Sequence, residues 1–223
     1  MVEFSEKTVK DINVALENLS KDGMSAFILD LRNNPGGLLD VAVKVAERFI
    51  QNGKLIVYTK GRRPTQNLEF LSRSTHPILN LPMAVLINEG SASGSEIVAG
   101  SLQDYKRAII VGTKSFGKGS VQTVIPLSDG SALRLTTSKY FTPSGKVIHG
   151  NGVKPDIVVE AGEVKLSKAE DLKALPPQEI FEEVEKKEKV ASEEKEPDYK
   201  TDNQLIRAVD ILKAIRIYKD IKN

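Results

Sequence analysis

The 223-residue chain has no cysteine and no tryptophan, and it holds only two histidines, His76 and His149. Without cysteine there is neither a disulfide framework nor a thiolate metal site, and two distant histidines argue against bound zinc. Charge of one sign is also missing. Thirty-two basic residues against thirty acidic ones leave a formal charge of +2, which gives no reason to expect a nucleic-acid partner. No apolar run approaches the ~20 residues needed to cross a membrane, and the opening Met1-Val-Glu-Phe lacks the basic and apolar regions of a secretory signal. The length is enough for one good-sized core, with room for an appendage.

What is present is α/β patterning followed by a charged tail. Ser5 can cap a helix over residues 5–22 whose Val9, Ile12, Leu16 and Leu19 recur at helical spacing, and Gly23 can end it. Ala26 to Leu31 reads as a buried strand, Arg32 to Gly37 as a turn, and Leu38, Ala42, Val45 and Phe49 as the apolar face of a second helix. Lys54 to Thr59 gives another strand. This order predicts parallel βαβ units. Residues 60–80, broken by Pro64 and Pro77, read as a surface excursion in which Leu68, Phe70 and Leu71 are candidates to receive an apolar substrate side chain. Val121 to Leu127 and Ser131 to Tyr140 alternate around Ser128-Asp-Gly as a hairpin, and a final core strand follows within 145–159.

Beyond Val164 the composition shifts. Pro176-Pro177 breaks the chain and Gln178 to Lys200 is dense in Glu and Lys, which predicts a solvated helix or linker. Leu205, Val209, Leu212 and Ile215 then restore a helical stripe, expected to dock on the core or on another subunit. The organisation read from this is a core over residues 1–164 and a charged linker with a helical extension over 165–223.

Chemistry concentrates between Asn88 and Gln122. The apolar run Met83 to Ile87 leads into Ser91-Ala-Ser-Gly-Ser-Glu96 and then into a helical pattern, so three serines sit in a strand-to-helix turn. Free amides at a helix N-terminus suit a developing oxyanion. A serine there needs a base, and neither histidine has a persuasive acid partner in sequence. Lys118, held between Gly117 and Gly119, is the better candidate if desolvation keeps it neutral. Gln122 lies four residues on, on the same side as Lys118 in a helix or an extended strand, and can orient the amine. From the residues alone any of Ser91, Ser93 and Ser95 can be the exposed one, with Ser95 the better helix cap. Ser115-Phe-Gly-Lys118 also fits a Ser-x-x-Lys pattern, but the flanking glycines disfavour the helix that pattern requires.

These segments carry a resemblance. Ser91-Ala-Ser-Gly-Ser-Glu96, Phe116-Gly-Lys-Gly-Ser-Val-Gln122, Leu29-Asp-Leu-Arg-Asn-Asn-Pro-Gly-Gly37, Tyr140-Phe-Thr-Pro-Ser-Gly145 and Gly152-Val-Lys-Pro-Asp-Ile-Val158 together resemble the C-terminal processing, or tail-specific, serine proteases. The resemblance runs from about Phe4 to Val159. It implies a fold of the crotonase and caseinolytic-protease (ClpP-like) kind, with Ser93 as nucleophile, 25 residues before the general base Lys118, and Gln122 as its orienting partner. By the same resemblance Gly94 and a glycine of the Pro35 turn, Gly36 or Gly37, donate to the oxyanion. No metal or organic cofactor is implied. The implied substrates are unfolded or C-terminally exposed proteins, and the implied workplace lies outside the cytoplasm, in a periplasm, cell envelope or thylakoid lumen. Members carry a PDZ domain and a further strand ahead of the segment that begins here near Phe4, and the residues given include neither. The alternatives are a binding module of the same fold, as in the retinoid-carrying repeats of the photoreceptor matrix, or an inactive shortened core.

Overall fold

The computed structural model describes residues 1–163 and 201–222. The expected linker at Pro176-Pro177 and Gln178 to Lys200 lies outside them. Helix α1 spans Thr8–Lys21, strand β1 Phe27–Asp30, α2 Leu39–Glu47, β2 Leu55–Gly61, β3 Glu69–Leu71, β4 Met83–Ile87, α3 Gly94–Asp104 and β5 Ile109–Gly112. Strands β6, Ser120–Pro126, β7, Ala132–Phe141, and β8, Ile157–Val158, follow, and helix α4 covers Asn203–Lys222.

A parallel sheet in the order β1-β4-β5-β8 forms the centre. Its middle strand β4 is buried along all five residues, as expected of a parallel strand covered on both faces. Alternation along β4 divides those residues between two cores. Met83, Val85 and Ile87 join the larger one, with Val45 of α2, Phe49 just past it, Ile56 of β2 and Ile97 and Leu102 of α3. Ala84 and Leu86 face the other way, where Val111, Ala208 and Leu212 complete a smaller core under α4. The helical stripe expected near the chain's end therefore docks on the core of the same chain.

The second sheet is antiparallel, in the order β3-β2-β7-β6. It corrects one expectation: the strand over 54–59 does not continue the parallel set but pairs antiparallel with β7, Tyr58 opposite Phe141, their rings stacked 5.1 Å apart. The expected excursion over 60–80 also gains order, with a 3-10 turn at Pro64–Gln66 and the edge strand β3. Within it Phe70 packs against the larger core, whereas Leu68 and Leu71 stay exposed. Leu38 is exposed as well; it precedes α2 with an extended backbone and so misses the buried face that Ala42, Val45 and Phe49 share. The hairpin forms as expected, closed by the Leu127 amide donating to the Ser131 carbonyl at 2.8 Å. The last strand, β8, is a two-residue edge rather than a core strand, and its Val158 is exposed.

Candidate active site

Two turns meet at the ends of adjacent strands. One leaves β1 and runs through Arg32, Asn33, Asn34, Pro35 and the two glycines into α2; the other leaves β4 and carries the three serines into α3. Because β1 and β4 are parallel neighbours, both turns open at the same edge of the sheet. Backbone and side chains then tie them together. The Asn34 carbonyl accepts the Ala92 amide at 3.0 Å and the Ser95 hydroxyl at 2.9 Å, and Asn33 and Asn88 exchange hydrogen bonds of 2.8 and 2.7 Å.

The three serines have different surroundings. Ser91 is fully buried and its hydroxyl donates to the Leu31 carbonyl at 2.7 Å; Ser95 is fully buried and spends its hydroxyl on Asn34. Ser93 is half-buried, and its backbone amide donates to the Glu96 side chain at 2.9 Å. It stands at the N-cap of α3, the position expected for Ser95, with φ 53° and ψ −110°. A non-glycine residue at positive φ is uncommon outside tight turns, and such strain gathers where a side chain is held in a particular direction.

Glycine is required opposite it. A Cβ on Gly36 would lie 2.7 Å from each of the Ala92 carbonyl, the Gly94 nitrogen and the Ser93 Cβ, so the two turns touch backbone to backbone here. Gly36 and Gly37 both have positive φ, 97° and 145°. Their amides differ. That of Gly36 donates to the Asn34 side-chain oxygen at 2.9 Å, while those of Gly37 and Gly94 have no acceptor among the described residues.

Glu96 is the residue that sequence reasoning missed. Its side chain is fully buried, and four donors converge on it. Ser115 Oγ donates to Oε1 at 2.6 Å and the Gly117 amide to the same oxygen at 2.7 Å; the amides of Lys118 and Ser93 both donate to Oε2, at 2.8 and 2.9 Å. One carboxylate oxygen thus holds the backbone of both the candidate nucleophile and the candidate base. Glu96 stands three residues after the N-cap serine, so a Ser-x-x-Glu capping box was a signal in the sequence for the Ser93 half of this contact.

Ser115 is buried, donating to Glu96 and accepting the Val153 amide at 2.7 Å, a tether between loops rather than a second nucleophile. His76 and His149 are exposed. Lys118 is exposed too, contrary to the desolvation expected between its glycines, because the loop that carries it packs through Ser115 and Gly117 and turns Lys118 outward. No hydrogen bond joins Ser93 Oγ to Lys118 Nζ among the described residues. Gln122 lies in β6 opposite Thr136, beside a shift in register, and Lys118 precedes that strand rather than sharing it. A cavity of about 920 Å³ lined by Asp104, Thr142, Lys146, Gly152 and Asp156, among others, does not include Ser93 or Lys118.

Among the described residues no group of three or more His, Asp or Glu side chains is placed to hold a metal, and no helix is long and apolar enough to cross a membrane.

A carboxy-terminal-processing protease of Bartonella bacilliformis is 51% identical over 164 residues, covering 72% of this chain and 38% of that protein. The protein named Probable CtpA-like serine protease of Staphylococcus aureus strain N315 is 43% identical over 157 residues, 70% of this chain and 32% of the relative. The chain therefore spans about a third of the length of these relatives. Among solved structures, a photosystem II D1 C-terminal processing protease superposes with a TM-score of 0.67 at 37% identity, covering 72% of this chain and 41% of that one. Residues 1–159 match the model of peptidase family S41, and with the two turns, the serine and the lysine all inside that span, the chain belongs to peptidase family S41.

Proposed function

We propose that the chain is the core of a serine endopeptidase that cleaves proteins near their C-terminus through a Ser93–Lys118 dyad. The observation that carries this reading is the shared Glu96 oxygen, which fixes the backbone of both residues to one point. Ser91, Ser95 and Ser115 have their hydroxyls committed elsewhere, which favours Ser93 as the nucleophile.

In this mechanism Lys118, as the neutral amine, takes the proton of Ser93 while Oγ attacks the peptide carbonyl. The oxyanion rests on the amides of Gly94 and Gly37, the two without an internal acceptor. Collapse breaks the C–N bond as the protonated lysine returns its proton to the leaving amine. Water then attacks the acyl-enzyme, again with Lys118 as base, and frees Ser93. Gln122 orients the amine. Because Lys118 is exposed, the water-poor setting a lysine base needs is completed by the bound polypeptide covering it. The same reading carries an extracytoplasmic workplace and unfolded or C-terminally exposed protein substrates.

The test is cleavage of an unfolded polypeptide with an apolar tail by the parent chain, Ser93→Ala and Lys118→Ala, with product masses read out. Cleavage by the parent, faster toward alkaline pH and lost in both variants, is the expected result. Retention in either variant sinks the dyad. The second reading, a binding module of this fold, draws on the exposed Lys118 and its lack of a bond to Ser93; it predicts binding of the polypeptide without cleavage by any of the three.

A further inference from the structure

Helix α4 lies on the face of the parallel sheet away from α2 and α3, yet it reaches the glycine turn through one side chain. Arg32 comes after β1 and Leu31 and opens that turn. Its Nε donates to Asp30 Oδ1 at 3.0 Å and Oδ2 at 3.1 Å, and Nη2 to Oδ2 at 2.6 Å. On the other side Nη1 reaches Asp202 Oδ2 at 2.7 Å and Gln204 Oε1 at 3.0 Å. Both side chains of the Arg32–Asp202 pair are largely shielded, 17% and 13% exposed, so water screens the pair less than an open surface one.

Neither partner at the start of α4 is incidental. Asp202 divides its oxygens: Oδ2 holds Arg32, while Oδ1 accepts the amides of Gln204 and Leu205 at 3.0 Å and so caps the helix. Gln204 is 2% exposed and passes its amide on to the Val159 carbonyl at 2.7 Å, beside β8. From Arg32 the chain runs straight into the site. Asn33 is bonded to Asn88, and Asn34 holds the Gly36 amide, the Ala92 amide and the Ser95 hydroxyl. Three consecutive residues thus connect the start of α4 to the turns on either side of Ser93.

We infer that α4 positions the oxyanion turn, with Arg32 as the positioning residue through which docking of the helix start holds residues 33–37 against the serine turn. The catalytic half of this inference rests on the proposed protease reading; the mechanical half does not. A helix that merely covered Ala84, Leu86 and Val111 would need apolar contacts alone. The Arg32 clamp adds a rigid, planar link from its first residues to the chemistry.

The experiment uses the full chain, its Asp202→Asn variant and, as a control, Leu212→Ala, which loosens the helix through its apolar face without touching Arg32. Amide hydrogen exchange is read at Asn34, Gly36 and Ala92 and, for reference, at Val85 and Leu86 in β4. In Asp202→Asn the first three are expected to exchange about tenfold faster with the β4 amides unchanged, and kcat to fall about tenfold with KM within about twofold. Leu212→Ala, which weakens the whole chain, is expected to speed exchange at the turn and at β4 together. In Asp202→Asn, unchanged exchange at the turn or an equal rise at turn and β4, in Leu212→Ala a rise confined to the turn, or a looser turn with unchanged kcat in an active parent each overturn the inference. If the parent cleaves nothing, exchange alone decides the mechanical claim, and the failure belongs to the protease reading.

Discussion

At the scale of single residues, Glu96 has the most demanding surroundings. A buried carboxylate that accepts four hydrogen bonds is satisfied only because both of its oxygens are acceptors. In Glu96→Gln one of them becomes an NH2 group that faces two donors in a closed space. Either Ser115 and Gly117 or Ser93 and Lys118 then lose their acceptor, with a cost of about 3 kcal/mol for the buried donors left unmatched. The variant is expected to unfold at lower urea than the parent and to lose cleavage even where it is folded, because one half of the proposed dyad is no longer tethered. A Glu96→Gln chain with parental stability and activity would show the carboxylate to be dispensable.

Sequence alone could not supply this role. Glu96 sits where a capping-box glutamate belongs, and that local signal accounts for its bond to Ser93; its three other partners come from a loop about twenty residues on, and no periodicity encodes such a contact. The choice among the three serines was equally hidden. It depends on which residue takes the positive φ, which follows from the closeness of Gly36 and not from composition. The 25-residue spacing from Ser93 to Lys118 came from the resemblance of the motifs and not from the residues alone.

Elements hold one another through a few charged contacts. The Asp104 side chain, at the last residue of α3, is 4% exposed; it accepts the Ser144 amide and Lys146 Nζ, both at 2.9 Å, and so fixes the turn after β7. Burial works against its charge, but hydrogen bonds from Thr142, Ser144 and Lys146 outweigh it and hold the carboxyl below its ordinary value. A group depressed in the folded state contributes stability above its unfolded pKa, here about 4, and loses it as pH falls through the lower folded value. Asp104→Asn lacks that contribution. Urea midpoints of parent and variant should therefore differ most near neutrality, with the parent higher, and converge as pH drops below about 4. A gap that stays constant with pH would remove Asp104 from the account.

Element identity was read more successfully than element partnership. The helices α1, α2 and α4 and the strands β1, β4 and the hairpin follow from spacing, since each pattern is local. Where β2 belongs was not legible. Its apolar residues suit a buried strand in either sheet, and what decides is a pairing with β7 some eighty residues later.

For the whole molecule, the two cores share the strand β4, one on each of its faces. The extension is in its helical part continuous with the parallel sheet, since Ala208 and Leu212 pack on Ala84, Leu86 and Val111. Leu212→Ala should thus lower the stability of the entire chain, by about 2–4 kcal/mol, within one cooperative transition seen alike by circular dichroism and by fluorescence of its tyrosines. Two separated transitions would mean that α4 unfolds on its own. Docking of the stripe was legible but its partners were not: helical spacing announces an apolar stripe and is silent about what it meets.

The clamp on Arg32 also has a consequence for how the chain comes into being. Arg32 and Gln204 are 172 positions apart in the sequence, and the neighbouring ion pair to Asp202 spans nearly as far. Closing so wide a loop is entropically slow, and during synthesis the second partner leaves the ribosome long after the first. A nascent chain thus carries its serine and its lysine well before the turn beside them is braced from behind. If bracing and catalysis are coupled, the cutting edge is sharpened last, and a ribosome that stops before residue 202 releases a blunt product.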